Sequence, residues 1–275
     1  MNHQIKNFKY FGDDKTPLYA STLGSGPPLV ILHGGGPDRQ SIIPFAKLLE
    51  GHHQVIFPDL RGYGESVCHD RSKHTWTQYA KDVISLINFI EENQIFICGM
   101  GLGASIAERV SYTYQDRVQG VILISPETFD KEGEGSSDQE IEMMDRCAEV
   151  AITKDLERAW QPFIKDLAPV ITKAVRESFL RTNPKSFAAA MAIVHSKRLD
   201  SVKQLSGINA PLLVIPGNDK RHSSNSSDTY LELVSNCQLG EPFDWNEMRT
   251  MDQLASALVP QIMRFSQKVI RNKKE

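Results

Sequence analysis

Gln94-Ile95-Phe96-Ile97-Cys98, Gly99-Met100-Gly101-Leu102-Gly103 and Ala104 to Tyr114 are three consecutive stretches with three different patterns. The first is a short apolar run, the mark of a strand buried on both faces. The second is a tight glycine turn. The third has helical spacing. Strand, sharp turn and helix are therefore expected in that order.

The same alternation continues outward. Upstream, Leu29-Val30-Ile31-Leu32 is a strand ending in His33-Gly34-Gly35-Gly36-Pro37, and Gln54–Phe57 is another, ending in Pro58-Asp59 and the polar loop Leu60-Arg61-Gly62-Tyr63-Gly64-Glu65-Ser66. Helices are expected over 39–50 and Thr75–Glu91, the second with Tyr79, Val83, Leu86, Ile87 and Ile90 on one face. Asn7–Phe11 and Pro17–Thr22 read as two strands of a meander. Downstream, Val118–Ile124 is a buried strand. The alternation pauses at Pro126 and resumes at Pro211-Leu212-Leu213-Val214-Ile215, and a final helix is expected from Asn246 to Lys268. Repeated strand–helix units predict an α/β fold with a mostly parallel sheet flanked by helices.

Residues 129–202 carry no strong strand signal. They open with a Gly/Ser/Glu linker, Lys131 to Asp138, and continue with apolar faces at Leu156/Trp160/Phe163, Val175/Phe179/Leu180 and Phe187/Met191/Val194. This segment is expected to be a helical insertion, leaving 1–128 and 203–275 as the two parts of one core. Core packing is the simplest use of its aromatic residues, and lining an apolar pocket is the other.

The chain has 275 residues, a formal net charge of −3 and no strongly basic block, which argues against nucleic-acid binding. The N-terminus is polar, without the apolar core of a signal peptide, and no apolar stretch is long enough to span a membrane. The four cysteines form no CxxC pair and no zinc-like cluster with histidine, so no metal site is expected. The expectation is a cytoplasmic protein without a cofactor.

In an open parallel sheet, ligands bind at the carboxyl ends of the strands. Four loops there are distinctive: His33–Pro37, Asp59–Ser66, Gly99–Gly103 and Gly217–His222. In order and spacing they resemble the α/β-hydrolase superfamily over nearly the whole chain, with the insertion where such proteins carry a cap. The resemblance implies a serine on the sharp turn, a histidine that takes its proton and an acid that orients the histidine. It also implies two backbone N–H groups that stabilise an oxyanion. Here the oxyanion loop corresponds to His33, Gly34 and Gly35, with Leu102 following the nucleophile slot and His33 shaping the loop.

Two departures stand out. The pattern G-x-S-x-G aligns with Gly99–Gly103, so Gly101 stands where the serine belongs. Glycine suits the strained turn but has nothing to attack with. Met100 is no acyl-transfer nucleophile, Ser105 lies a turn into the helix, and Cys98 lies inside the strand. The acid slot aligns with Asp219. The histidine slot falls in Leu239–Glu247, which contains no histidine, and Asp244 or Trp245 takes its place. His222, three residues after Asp219, is the candidate substitute base. His195 reads as a surface residue, and Asp59 and Arg61 as loop-fixing groups.

The first expectation is therefore a protein that has lost serine-hydrolase chemistry and binds a small molecule, with a protein partner also open, in a binding or regulatory role. The alternative is a cofactor-free hydrolase or lyase on small carbonyl or ester substrates, using Asp219, His222 and the oxyanion loop. An open pocket faced by His222 favours catalysis; a pocket plugged by Met100 or Trp245 counts against it. A third reading, the dinucleotide fingerprint Gly99-x-Gly101-x-x-Ala104 with Glu127 after the next strand, fits less well. That fingerprint follows the first strand of a βαβ pair, whereas several strands precede this one.

Overall fold

The computed structural model describes residues 4–127, 136–217, 222, 225–241 and 244–273. Among these residues, eight strands form one sheet in the order β1-β2-β4-β3-β5-β6-β7-β8. They are β1 (Lys6–Phe11), β2 (Pro17–Leu23), β3 (Pro28–Leu32), β4 (Gln54–Pro58), β5 (Ile95–Met100), β6 (Val118–Ile124), β7 (Leu212–Ile215) and β8 (Cys237–Leu239). β1, β2 and β4 pair antiparallel, and every pair from β4 through β3 to β8 is parallel.

The central strands are apolar because both faces are covered. Successive side chains of a strand point to opposite faces. On β5, Ile95 and Ile97 join a core with α2 (Trp76–Phe89) and α3 (Leu102–Thr113), while Phe96, Cys98 and Met100 join a second core with α1 (Ile43–Leu49) and α9 (Met251–Asn272). The expected helix over 39–50 divides into a 3-10 turn, Arg39–Ile42, and α1, with Pro44 at the start of α1. Thr75 caps α2 by accepting a hydrogen bond from the Gln78 N–H.

Among the described residues, four α-helices lie between β6 and β7: α4 (Asp138–Ile152), α5 (Leu156–Ile164), α6 (Pro169–Ser178) and α7 (Pro184–Ala190). Ser137, Asp155 and Asn183 cap three of them with side-chain oxygens, and α6 starts on a proline. Trp160 of α5 packs against Phe163 and Phe187, with ring centroids 5.2 and 5.7 Å apart. The bundle is pinned to the sheet loops by Arg181, paired with Asp38, and by the Ser178 hydroxyl, which donates to the Gly36 carbonyl at 2.9 Å.

Two elements escape the sequence reading. β8 is three residues on the sheet edge and only partly buried, and α8 (Asn225–Leu233) begins Asn-Ser-Ser-Asp, poor helix formers. The last helix begins at Met251 rather than Asn246, because Asp244 caps a separate 3-10 turn, Trp245–Glu247. Among the described residues no helix is long and apolar enough to cross a membrane, and the four cysteines are free.

The loop after β4 is fixed by ions. Arg61 has no exposed side-chain area. Its guanidinium donates to Asp82 from Nε at 2.8 Å and from Nη2 at 2.6 Å, to both Asp14 carboxylate oxygens at 3.0 Å, and to the Thr16 hydroxyl at 2.8 Å. Asp59 is buried, accepts from the N–H groups of Arg39 and Glu65 at 2.8 Å, and pairs with the Arg39 guanidinium. Both residues fix the loop, as their place in the sequence suggested.

Three buried imidazoles tie stability to pH. Burial holds His33, His53 and His74 below the ordinary imidazole value, His74 at about 4. They stay neutral in the fold, whereas the unfolded chain protonates them below about pH 6.5, so the unfolded state binds more protons there. The urea midpoint is expected to be level above pH 7 and to fall as pH drops from 6.5 toward 4. A midpoint unchanged between pH 7 and 5 would contradict this.

Candidate active site

The turn after β5 forms the floor of the site. Gly101 has φ 49° and ψ −115°, a conformation that resists side chains, and it immediately precedes α3. A Cβ built on Gly101 would lie 3.5 Å from His222 Nε2, and no other described group beyond its chain neighbours would come within 4 Å. His222 thus stands over the slot where a nucleophilic side chain would sit. Gly217 lets it approach: a Cβ there would meet the Ser125 hydroxyl at 2.3 Å and the His222 Cβ at 2.7 Å. The histidine that faces residue 101 comes from the segment after β7, and none of the described residues between β8 and α9 is a histidine.

The remaining predicted residues divide cleanly. His33 is fully buried; its Nδ1 lies 2.7 Å from the Gly34 carbonyl, and its Nε2 accepts the Leu60 N–H at 3.0 Å. The tautomer that satisfies both carries its proton on Nδ1. His33 therefore shapes the loop rather than titrating in the site. Gly34, Gly35 and Leu102 line the cavity beside Gly101. Leu102 is the first residue of α3, so its N–H has no acceptor one turn back in the helix and is available to an oxyanion.

Of the two residues in the usual histidine slot, Trp245 lines the cavity and donates its indole N–H to the Pro216 carbonyl at 3.1 Å. Asp244 is exposed and caps the 3-10 turn by accepting the Asn246 N–H at 2.8 Å. Asp219 lies outside the described residues. Cys98 and Ser105 are fully buried, and neither is among the cavity-lining residues. His195 pairs with Asp145 at 3.0 Å on the surface.

Above the turn is a cavity of about 160 Å³. Met100 and Trp245 form part of its wall, and space remains between them and the helices above. All three tryptophans of the chain, Trp76, Trp160 and Trp245, line it. Phe163 also lines it, so the insertion's aromatic residues serve the cavity as well as the core. Glu127 and Glu140 are the only carboxylates among the described lining residues, and no lysine or arginine is found there. Sequence reasoning did not single out Ser125, a non-glycine residue with φ 50° at the end of β6, or the inward-facing Tyr63. Positive φ at Ser125 has no local sequence signal, and Tyr63 reads simply as part of a polar loop.

The strand order, the sharp turn at Gly101 and the loop at His33 define an α/β-hydrolase fold. The sequence model of the alpha/beta hydrolase family matches residues 29–259, and the chain belongs to that family. A pimeloyl-[acyl-carrier protein] methyl ester esterase of Shewanella oneidensis is 30% identical over 209 residues, covering 73% of this chain and 76% of that protein. Among solved structures, an esterase from Thermogutta terrifontis superimposes with a TM-score of 0.78 at 22% identity, covering 96% of this chain and 99% of that one. The bottromycin epimerase BotH superimposes with a TM-score of 0.69 at 18% identity, covering 96% and 99%. The two structures share the fold.

Proposed function

We propose that this protein is a cofactor-free enzyme that acts on a small, largely apolar ester or related carbonyl compound under a helical cap, without a covalent serine intermediate. The observation that carries the reading is His222 Nε2, 3.5 Å from the Cβ position that Gly101 leaves open, at the floor of a cavity. That opening suits a water molecule. His222 takes a proton from the water as the water oxygen bonds to the ester carbonyl carbon. The carbonyl electrons move to oxygen, which N–H groups of Gly34, Gly35 and Leu102 stabilise. Collapse of the tetrahedral species expels the alkoxide, which recovers the proton from His222. The similarity to an enzyme named as a methyl ester esterase supports the same class of substrate.

The test pairs turnover of p-nitrophenyl esters with fluorophosphonate labelling. Wild-type protein is expected to turn the esters over without forming an adduct, and His222→Gln to lose roughly 100-fold or more of that rate. An adduct mapped to Ser125, or a His222→Gln variant with unchanged turnover, would overturn the proposal. The second reading, a binding or regulatory protein, is favoured by the missing side chain at Gly101. It predicts ligand binding with no turnover of any ester.

A further inference from the structure

We infer that Tyr63 is a binding residue of the cavity, whose hydroxyl donates a hydrogen bond to the carbonyl oxygen of an uncharged ligand beside the oxyanion loop. Tyr63 is 4% exposed and lines the cavity. Its hydroxyl lies 3.8 Å from the position a Cβ on Gly35 would take, next to the Leu102 side chain at 3.7 Å from the same point. The ring is fixed edge-on to His33 at 5.4 Å and to Phe187 at 6.3 Å. Neither contact uses the hydroxyl, which has no hydrogen-bond partner among the described residues. A buried phenol normally finds one, so a vacant donor facing a cavity is a position for a ligand oxygen. Burial, reinforced by the nearby Cys147 and Glu127, holds the phenol protonated well above its ordinary value, so it serves as a donor across the working pH range. The lining restricts the ligand further. No lysine or arginine is among the described lining residues to pair with an anionic ligand, and the aromatic wall favours an apolar body.

This inference rests on the reading of the cavity as a site for carbonyl compounds, but not on turnover. Because the three tryptophans line the cavity, intrinsic fluorescence reports its occupancy directly. The probes are 4-phenylbutan-2-one and butylbenzene, close in shape and differing in the carbonyl. Tyr63→Phe is expected to weaken the ketone by about fivefold to tenfold, the usual worth of one hydrogen bond, and to leave butylbenzene unchanged. Thermal unfolding of both proteins identifies any loss of fold. Equal weakening of both probes would show a packing role and overturn the inference, as would an unchanged ketone affinity or a wild-type protein that binds no ketone. Ketone discrimination by Tyr63 in a protein that turns over no ester would overturn the proposed catalysis and leave the role of Tyr63 standing.

Discussion

Gly101→Ser is expected to convert the protein into a serine hydrolase, labelling stoichiometrically with a fluorophosphonate and hydrolysing p-nitrophenyl butyrate at least about 100-fold faster than wild type. A Cβ at residue 101 would lie 3.5 Å from His222 Nε2 with no other described neighbour within 4 Å, so a serine hydroxyl has both room and a base within hydrogen-bond reach. The turn already has φ 49° and ψ −115°. A serine there carries roughly 1–3 kcal/mol of backbone strain, so the variant is expected to melt a few degrees lower. The Leu102 N–H remains at the start of α3 for the oxyanion. Intact-mass labelling and peptide mapping read the result. A folded variant that stays unlabelled would mean that His222 is not placed to activate residue 101, and the proposed role of His222 would fall with it.

Arg61→Ala is expected to be among the most destabilising single substitutions in the molecule, costing about 3–5 kcal/mol. For a chain of this size that corresponds to a drop in Tm of roughly 5–9 °C. The guanidinium is fully buried and satisfies Asp82, Asp14 and Thr16 together, with Asp82 itself only 7% exposed. Removing it strands a buried carboxylate and frees the loop that carries Tyr63. Arg61→Lys is expected to fall between, because an ammonium cannot match two carboxylates with the fork of a guanidinium. Burial raises the Asp14 carboxyl, but hydrogen bonds from Arg61, Thr16 and Lys73 outweigh it and hold the group below its ordinary value. Its contribution is therefore present above about pH 4 and lost as pH falls. A melting temperature within 2 °C of wild type for Arg61→Ala would refute this account of the cluster.

The elements that the sequence revealed are those whose environment is uniform along their length. β3, β5 and β6 are apolar at nearly every position because helices cover both faces of the sheet, and α2 shows one buried stripe because it covers one face. β8 left no such trace, since three partly buried edge residues carry no pattern. Of the candidate site, the His33–Pro37 loop and the glycine turn were legible as short motifs. The choice between Asp244 and Trp245 was not, because it depends on which of two adjacent side chains turns inward from a 3-10 turn. Tyr63 was visible only as a loop residue; its hydroxyl became notable once His33 and Phe187 had fixed its ring over Gly35.

By itself the sequence determined that residue 101 has no side chain. That is a matter of covalent identity, and no folding can alter it. Only the tertiary structure decided that His222, far along the chain, faces that position across an open cavity. Proximity between distant residues comes from the packing of β5, β7 and the loops at their carboxyl ends, and no local pattern of residues encodes it.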